Sequence, residues 1–81
     1  MLAGEHCYVV TLSLKIVSRG GGDIRVTKTG TVDPDPPVTR LEVVRELISI
    51  AERDVREQAD RLGIFLAGEY PIVLFLSLEP Q

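Results

Sequence analysis

The single histidine and the single cysteine of the chain are neighbours, His6 and Cys7. A cysteine nucleophile needs a base beside it in space, and consecutive residues of an extended chain point to opposite faces, so the two do not make a thiol–imidazole couple. A zinc site would need two further nitrogen or sulfur ligands of this kind, which the chain does not contain. The pair reads as a terminal histidine and a half-buried cysteine. Asp33 and Asp35 have the spacing of a cation-binding loop, but prolines stand where further oxygen donors belong. Glu42, Glu46, Asp54 and Asp60 spread around a helix, as salt-paired surface carboxylates do, and pair up for no acid–base chemistry. Gly20-Gly21-Gly22 lacks the Lys-Ser/Thr pair and the following helix of a phosphate loop. No catalytic residue, metal or cofactor is expected, and the chain reads as a non-enzyme.

The elements that hold these residues follow from the pattern of apolar positions. From 8 to 17 the even positions (Tyr8, Val10, Leu12, Leu14, Ile16) are apolar, while Val9, Thr11, Ser13 and Lys15 alternate with them; this is a half-buried strand. The glycine triplet then closes a hairpin. Residues 23–32 return as a Thr-rich strand with Ile24, Val26 and Val32 on one face, and its polarity marks it as an edge. Lys28 on the nominally inner face is a charge that discourages edge pairing. Gly30 within this strand marks a bulge or a close backbone approach.

Asp33–Pro37, with three prolines, is a stiff crossover. Thr39-Arg40-Leu41-Glu42 then opens a helix with a capping box, flanked by Val38 and Val43 as a hydrophobic staple, and Gly63 ends it. Between them Leu41, Val44, Ile48, Ala51, Val55, Ala59 and Leu62 make an apolar stripe that Val43, Leu47 and Ile50 widen in the first half. Opposite charges four residues apart lace the second half: Glu52–Arg56, Arg53–Glu57, Arg56–Asp60 and Glu57–Arg61. Phe65 and Leu66 are expected to tuck under the sheet or the helix end. The last strand, 72–78, puts Ile72, Leu74, Leu76 and Leu78 on one face and Val73, Phe75 and Ser77 on the other.

The expected fold is one α+β domain over residues 1–81, β-β-α-β, with a mainly antiparallel three-stranded sheet in the order 2-1-3 and a long helix on one face. With 81 residues, the core is thin, and one cysteine forms no internal staple. The face away from the helix would show Val9, Thr11, Val73 and Phe75, and strand 72–78 would present an uncharged free edge. Such an edge is normally paired or covered. The reading is therefore an interaction or assembly protein that associates with itself, as a dimer, or with a protein partner, through that face or that edge. A short extra strand from residues 64–67 is the alternative cover.

A net charge of −3 argues against general nucleic-acid binding. The alternative within that class is a module using the basic hairpin, residues 15–28, with Lys15, Arg19, Arg25 and Lys28; residues 1–37 nevertheless balance these four against Glu5, Asp23, Asp33 and Asp35. No stretch is long and apolar enough to span a bilayer, and no basic, apolar leader opens the chain, so a cytoplasmic protein without a membrane partner is expected.

Two resemblances accompany this reading. Hairpin, acidic linker and long helix resemble the first half of a ubiquitin-like domain, although the chain ends Leu78-Glu79-Pro80-Gln81 without a Gly-Gly tail. Thr29-Gly30-Thr31, Thr39-Arg40-Leu41-Glu42 and Val73–Pro80 also resemble a group of short bacterial proteins. These share a Thr-Gly-Thr strand, a Pro-rich linker, a Thr-Arg-x-Glu helix start and a terminal Phe-Ser-Leu-Glu-Pro motif. The likeness spans about residues 8–48 and 72–80; the helix here is longer and Gln81 replaces Asn. It implies the same element order and no activity.

Overall fold

The computed structural model describes residues 1–18 and 20–81. Strand β1 (His6–Lys15) and strand β2 (Asp23–Val32) form the hairpin, helix α1 (Arg40–Leu62) follows, and β3 (Ile72–Pro80) returns. The sheet is antiparallel throughout, in the order β2-β1-β3 expected from the apolar face of β1 and the edge polarity of β2. The pairing of β1 with β2 runs unbroken from His6↔Val32 to Lys15↔Asp23.

The backbone bonds at the two ends of β1 share one parity. Ile16 N–H goes to Gly22 on the β2 side, whereas Val17 N–H goes to Phe65 C=O, and Lys15 C=O and Glu5 C=O accept from Ala67 and Gln81. Even residues thus bond toward β2 and odd residues toward β3, the alternation an antiparallel ladder imposes. Leu2 bonds reciprocally with Val38, so β1 is flanked well past both of its ends. Residues 64–67, expected as an alternative cover for β3, instead continue its line along β1 through the Ile16↔Leu66 bridge. Alternation along this short run turns Leu66 inward, but Phe65 outward and exposed, which corrects the expectation that both tuck in.

The even side chains of β1 make the core. Val10 and Leu12 are fully buried, and Tyr8, Leu14 and Leu78 nearly so. Against them α1 sets Val43, Leu47, Ala51 and Val55. Leu41 and Leu62, placed at the ends of the expected stripe, are instead exposed. The buried row steps by four residues, 43-47-51-55-59, and so drifts about 40° per step around the helix axis. Where the first half of a helix is apolar over a wide arc, spacing alone does not choose between adjacent rows; docking on a twisted sheet does. At the helix ends, Thr39 Oγ1 accepts from Glu42 N–H at 3.2 Å and Gly63 takes φ 69°, but the Glu42 carboxylate does not return to the Thr39 amide, so the expected capping box is half formed.

Gly30 shows the close approach, with no bulge in its strand. It pairs with Tyr8, whose ring lies over it; a Cβ there would stand 2.9 Å from Tyr8 Oη and 3.1 Å from two ring carbons. A glycine in a strand ordinarily costs about 0.5–1 kcal/mol relative to alanine, so the clash and the propensity gain oppose each other. Gly30→Ala should destabilise the protein by about 1–3 kcal/mol in urea unfolding. In a Tyr8→Leu background the same change should be neutral or stabilising; an equal loss in both backgrounds would refute the ring contact as its cause.

Candidate functional site

The surface that the sequence singles out lies on and around β3. Cross-strand partners in an antiparallel sheet share a face, so the register decides which residues meet. Val9 stands opposite Ser77 and Thr29, and Thr11 opposite Phe75 and Thr27, all on the face away from α1. Thr11 and Thr27 exchange a hydroxyl hydrogen bond of 2.9 Å. Val73 does not join them. The β1–β3 register shifts between Thr11 and Leu12, with Val73 opposite Leu12 and Ile72 opposite Ser13. One extra residue, Leu74, is accommodated on β3, and beyond it the parity of the strand reverses. The expected set Val9, Thr11, Val73 and Phe75 is therefore corrected: Val73 belongs to the helix side, and Ile72 takes its place on the open face. Strict alternation in the sequence carries no mark of such a shift.

The open face is more hydroxylated than apolar, with Thr11, Ser13, Thr27, Thr29, Thr31 and Ser77 around Val9, Phe75 and Ile72. The first half of β3 differs. Ile72, Val73, Leu74 and Phe75 are exposed by 64, 42, 46 and 56%, on both faces of the sheet, because α1 packs on β1 and β2. Exposed Leu62, Phe65 and Tyr70 lie at the same end of the molecule. By the parity of the ladder, the N–H and C=O of Leu76 and Leu78 point away from β1, toward the free edge. At Leu78 that carbonyl accepts from Arg40 at 3.4 Å, and Pro80 offers no N–H. The far end of the edge is thus blunted and the near half is bare.

Arg56 has a role its spacing does not disclose. It pairs with Glu52 at 3.0 Å, as expected, but also donates to the carbonyls of Ala67 and Glu69 at 3.3 and 3.1 Å. It ties the connector before β3 to the helix. His6 and Cys7 reverse their expected burial: His6 is buried with Nδ1 3.0 Å from Gly4 C=O, and Cys7 is exposed, accepting from Gln81 Nε2. Even parity sends His6 to the helix side, which their position in β1 dictates. Among the described residues no group of three His, Cys, Asp or Glu side chains could hold a metal ion. No helix is long and apolar enough to cross a membrane.

The basic hairpin does not assemble into one patch. Lys15 and Arg25 lie on the open face, Lys15 directly opposite Asp23, whereas Lys28 lies opposite Val10 on the helix side and pairs with Asp54 of α1. Arg19 is outside the described residues. Compared with protein-family models, curated proteins and solved structures, the chain finds no match.

The hydrogen bond to Asp54, aided by the Asp54 charge, holds the Lys28 ammonium above its usual range against the opposing effect of desolvation. A raised lysine pKa in the folded state means that the pair's contribution is complete below the unfolded lysine value and is lost as pH rises through the folded one. The difference in urea midpoint between wild type and Asp54→Asn should accordingly stay constant from about pH 6 to 9 and shrink in more alkaline solution. A difference that persists unchanged at the alkaline end would show that the pair does not stabilise the fold.

Proposed function

We propose that this chain is a non-enzymatic assembly module that forms a dimer with a second copy through strand β3, the two strands pairing antiparallel into one continuous six-stranded sheet. The observation that carries this reading is the exposure of four successive apolar residues, Ile72–Phe75, on a strand that carries no charge from residue 72 to 78 and whose outer edge is unpaired. An added strand satisfies the outward backbone groups and removes apolar surface on both faces at once.

Surface area supports the same reading. A folded monomer of 8.9 kDa should expose about 4,800 Å², and this chain exposes 5404 Å². Its radius of gyration is 14.2 Å, where about 12 Å is usual for this length. The excess of about 600 Å² is of the order that one partner contributes to a modest specific interface. Face-to-face stacking of the open face is the weaker form of association, since it would desolvate a field of threonine and serine hydroxyls. The nucleic-acid reading has less support, because Asp54 engages Lys28 and Asp23 faces Lys15.

Phe75 is the midpoint of 72–78, so in an antiparallel two-fold pairing its two copies approach each other. Light scattering at tens of micromolar should give the mass of a dimer for wild type and of a monomer for Phe75→Glu and for Phe75→Lys, each repelling itself. Mixing the two variants should restore the dimer mass. A monomeric wild type, or variants that remain dimeric with intact circular dichroism, would overturn the proposal.

A further inference from the structure

At the opposite end of the sheet from the bare half of β3, the Pro-rich linker and the first three turns of α1 enclose a groove of about 410 Å³. Its floor and walls are apolar: Tyr8, Val32, Val38, Val43, Leu47 and Ile50. Pro34 and Pro36 form the outer wall, so the backbone on that side is stiff before anything binds. The volume falls in the range of about 300–1,000 Å³ typical of small-molecule sites.

Two independent features give the groove a polarity. Tyr8, 8% exposed, lines the groove, and its hydroxyl, which lies over Gly30, bonds no described group and is not sealed from solvent. Around the rim stand Asp35, Glu42 and Glu46. The ion pairs among the described residues are Lys28–Asp54 and Glu52–Arg56, so all three rim carboxylates are unpaired. They do not converge closely enough to form a metal-binding group. Spread negative charge around an apolar cleft suits a cation whose charge sits at the end of a hydrocarbon body, with its N–H groups shared between a carboxylate and a hydroxyl.

We propose that this groove binds a small organic ammonium ion, its apolar body between the proline wall and α1 and its ammonium at the rim of Asp35, Glu42 and Glu46. The site is separate from β3 and does not depend on dimer formation. Glu42 also occupies the third position of the helix, where a carboxylate is favoured by the helix dipole, so the other two carboxylates are the ones to alter.

Three probes with one apolar body and different charge test this: hexylammonium, hexanol and hexanoate, titrated into the full chain and followed by backbone amide shifts. Burial of six carbons predicts dissociation constants of about a millimolar. Hexylammonium should bind about fivefold tighter than hexanol, with shifts centred on Tyr8, Val32, Val43 and Leu47, and hexanoate should bind weakest. Asp35→Asn with Glu46→Gln, both changes at exposed positions, should erase the preference for the ammonium and leave hexanol binding unchanged. The proposal fails if hexylammonium does not saturate at about tenfold higher concentration, if it binds no better than hexanol, or if the double substitution leaves its advantage intact.

Discussion

One helix cannot cover three strands. An α-helix with its side chains is about 10–12 Å across, and strands lie about 4.8 Å apart, so a single helix seats well on two strands and leaves the third at the margin. Here α1 settles on β1 and β2, where Val10, Leu12, Val43, Leu47 and Val55 close the core and the Lys28–Asp54 pair marks its outer side. What β3 lacks follows from that placement. Its second half is held by Leu76 and Leu78 against the core, and its first half extends past the helix with apolar residues on both faces.

Polar ties compensate in part for the missing cover. Arg40, in the first turn of α1, reaches the Leu78 carbonyl, and Arg56, four turns later, gathers the carbonyls of the connector. Long arginine side chains bridge the gap that a second helix would fill, and their guanidinium groups hold several acceptors at once. They fix where β3 lies without removing its apolar surface from water. The strand is thereby positioned while its apolar residues stay exposed, which is the surface the proposed dimer would bury.

The elements and their order were legible because each rests on local chemistry: alternation in β1 and β2, three glycines at the turn, a threonine cap and a glycine stop for α1. The strand order was legible because β1 is apolar enough on one face to sit in the middle and the polar β2 reads as an edge. The details that define the surface were not. The extra residue at Leu74 reverses the faces of Ile72 and Val73 without any glycine or proline to announce it. The choice between the row of Val43 and Leu47 and that of Val44 and Ile48 depends on how the helix meets a twisted sheet. The groove beside Tyr8 depends on the path of the linker in space, although Gly30, which makes room for the Tyr8 ring, was a visible sign that something approaches the backbone there.

The two ends of the chain meet at one place. Leu2 is bonded to Val38 and Gln81 to Glu5, so both ends leave the sheet beside the start of β1, while the glycine turn lies at the far end of a body 44 Å long. Chains with adjoining ends tolerate insertion into a host loop and circular permutation. Grafted into another protein at a single surface loop, this module would stand out from its host like a peg, with the bare half of β3 carried at the distal tip.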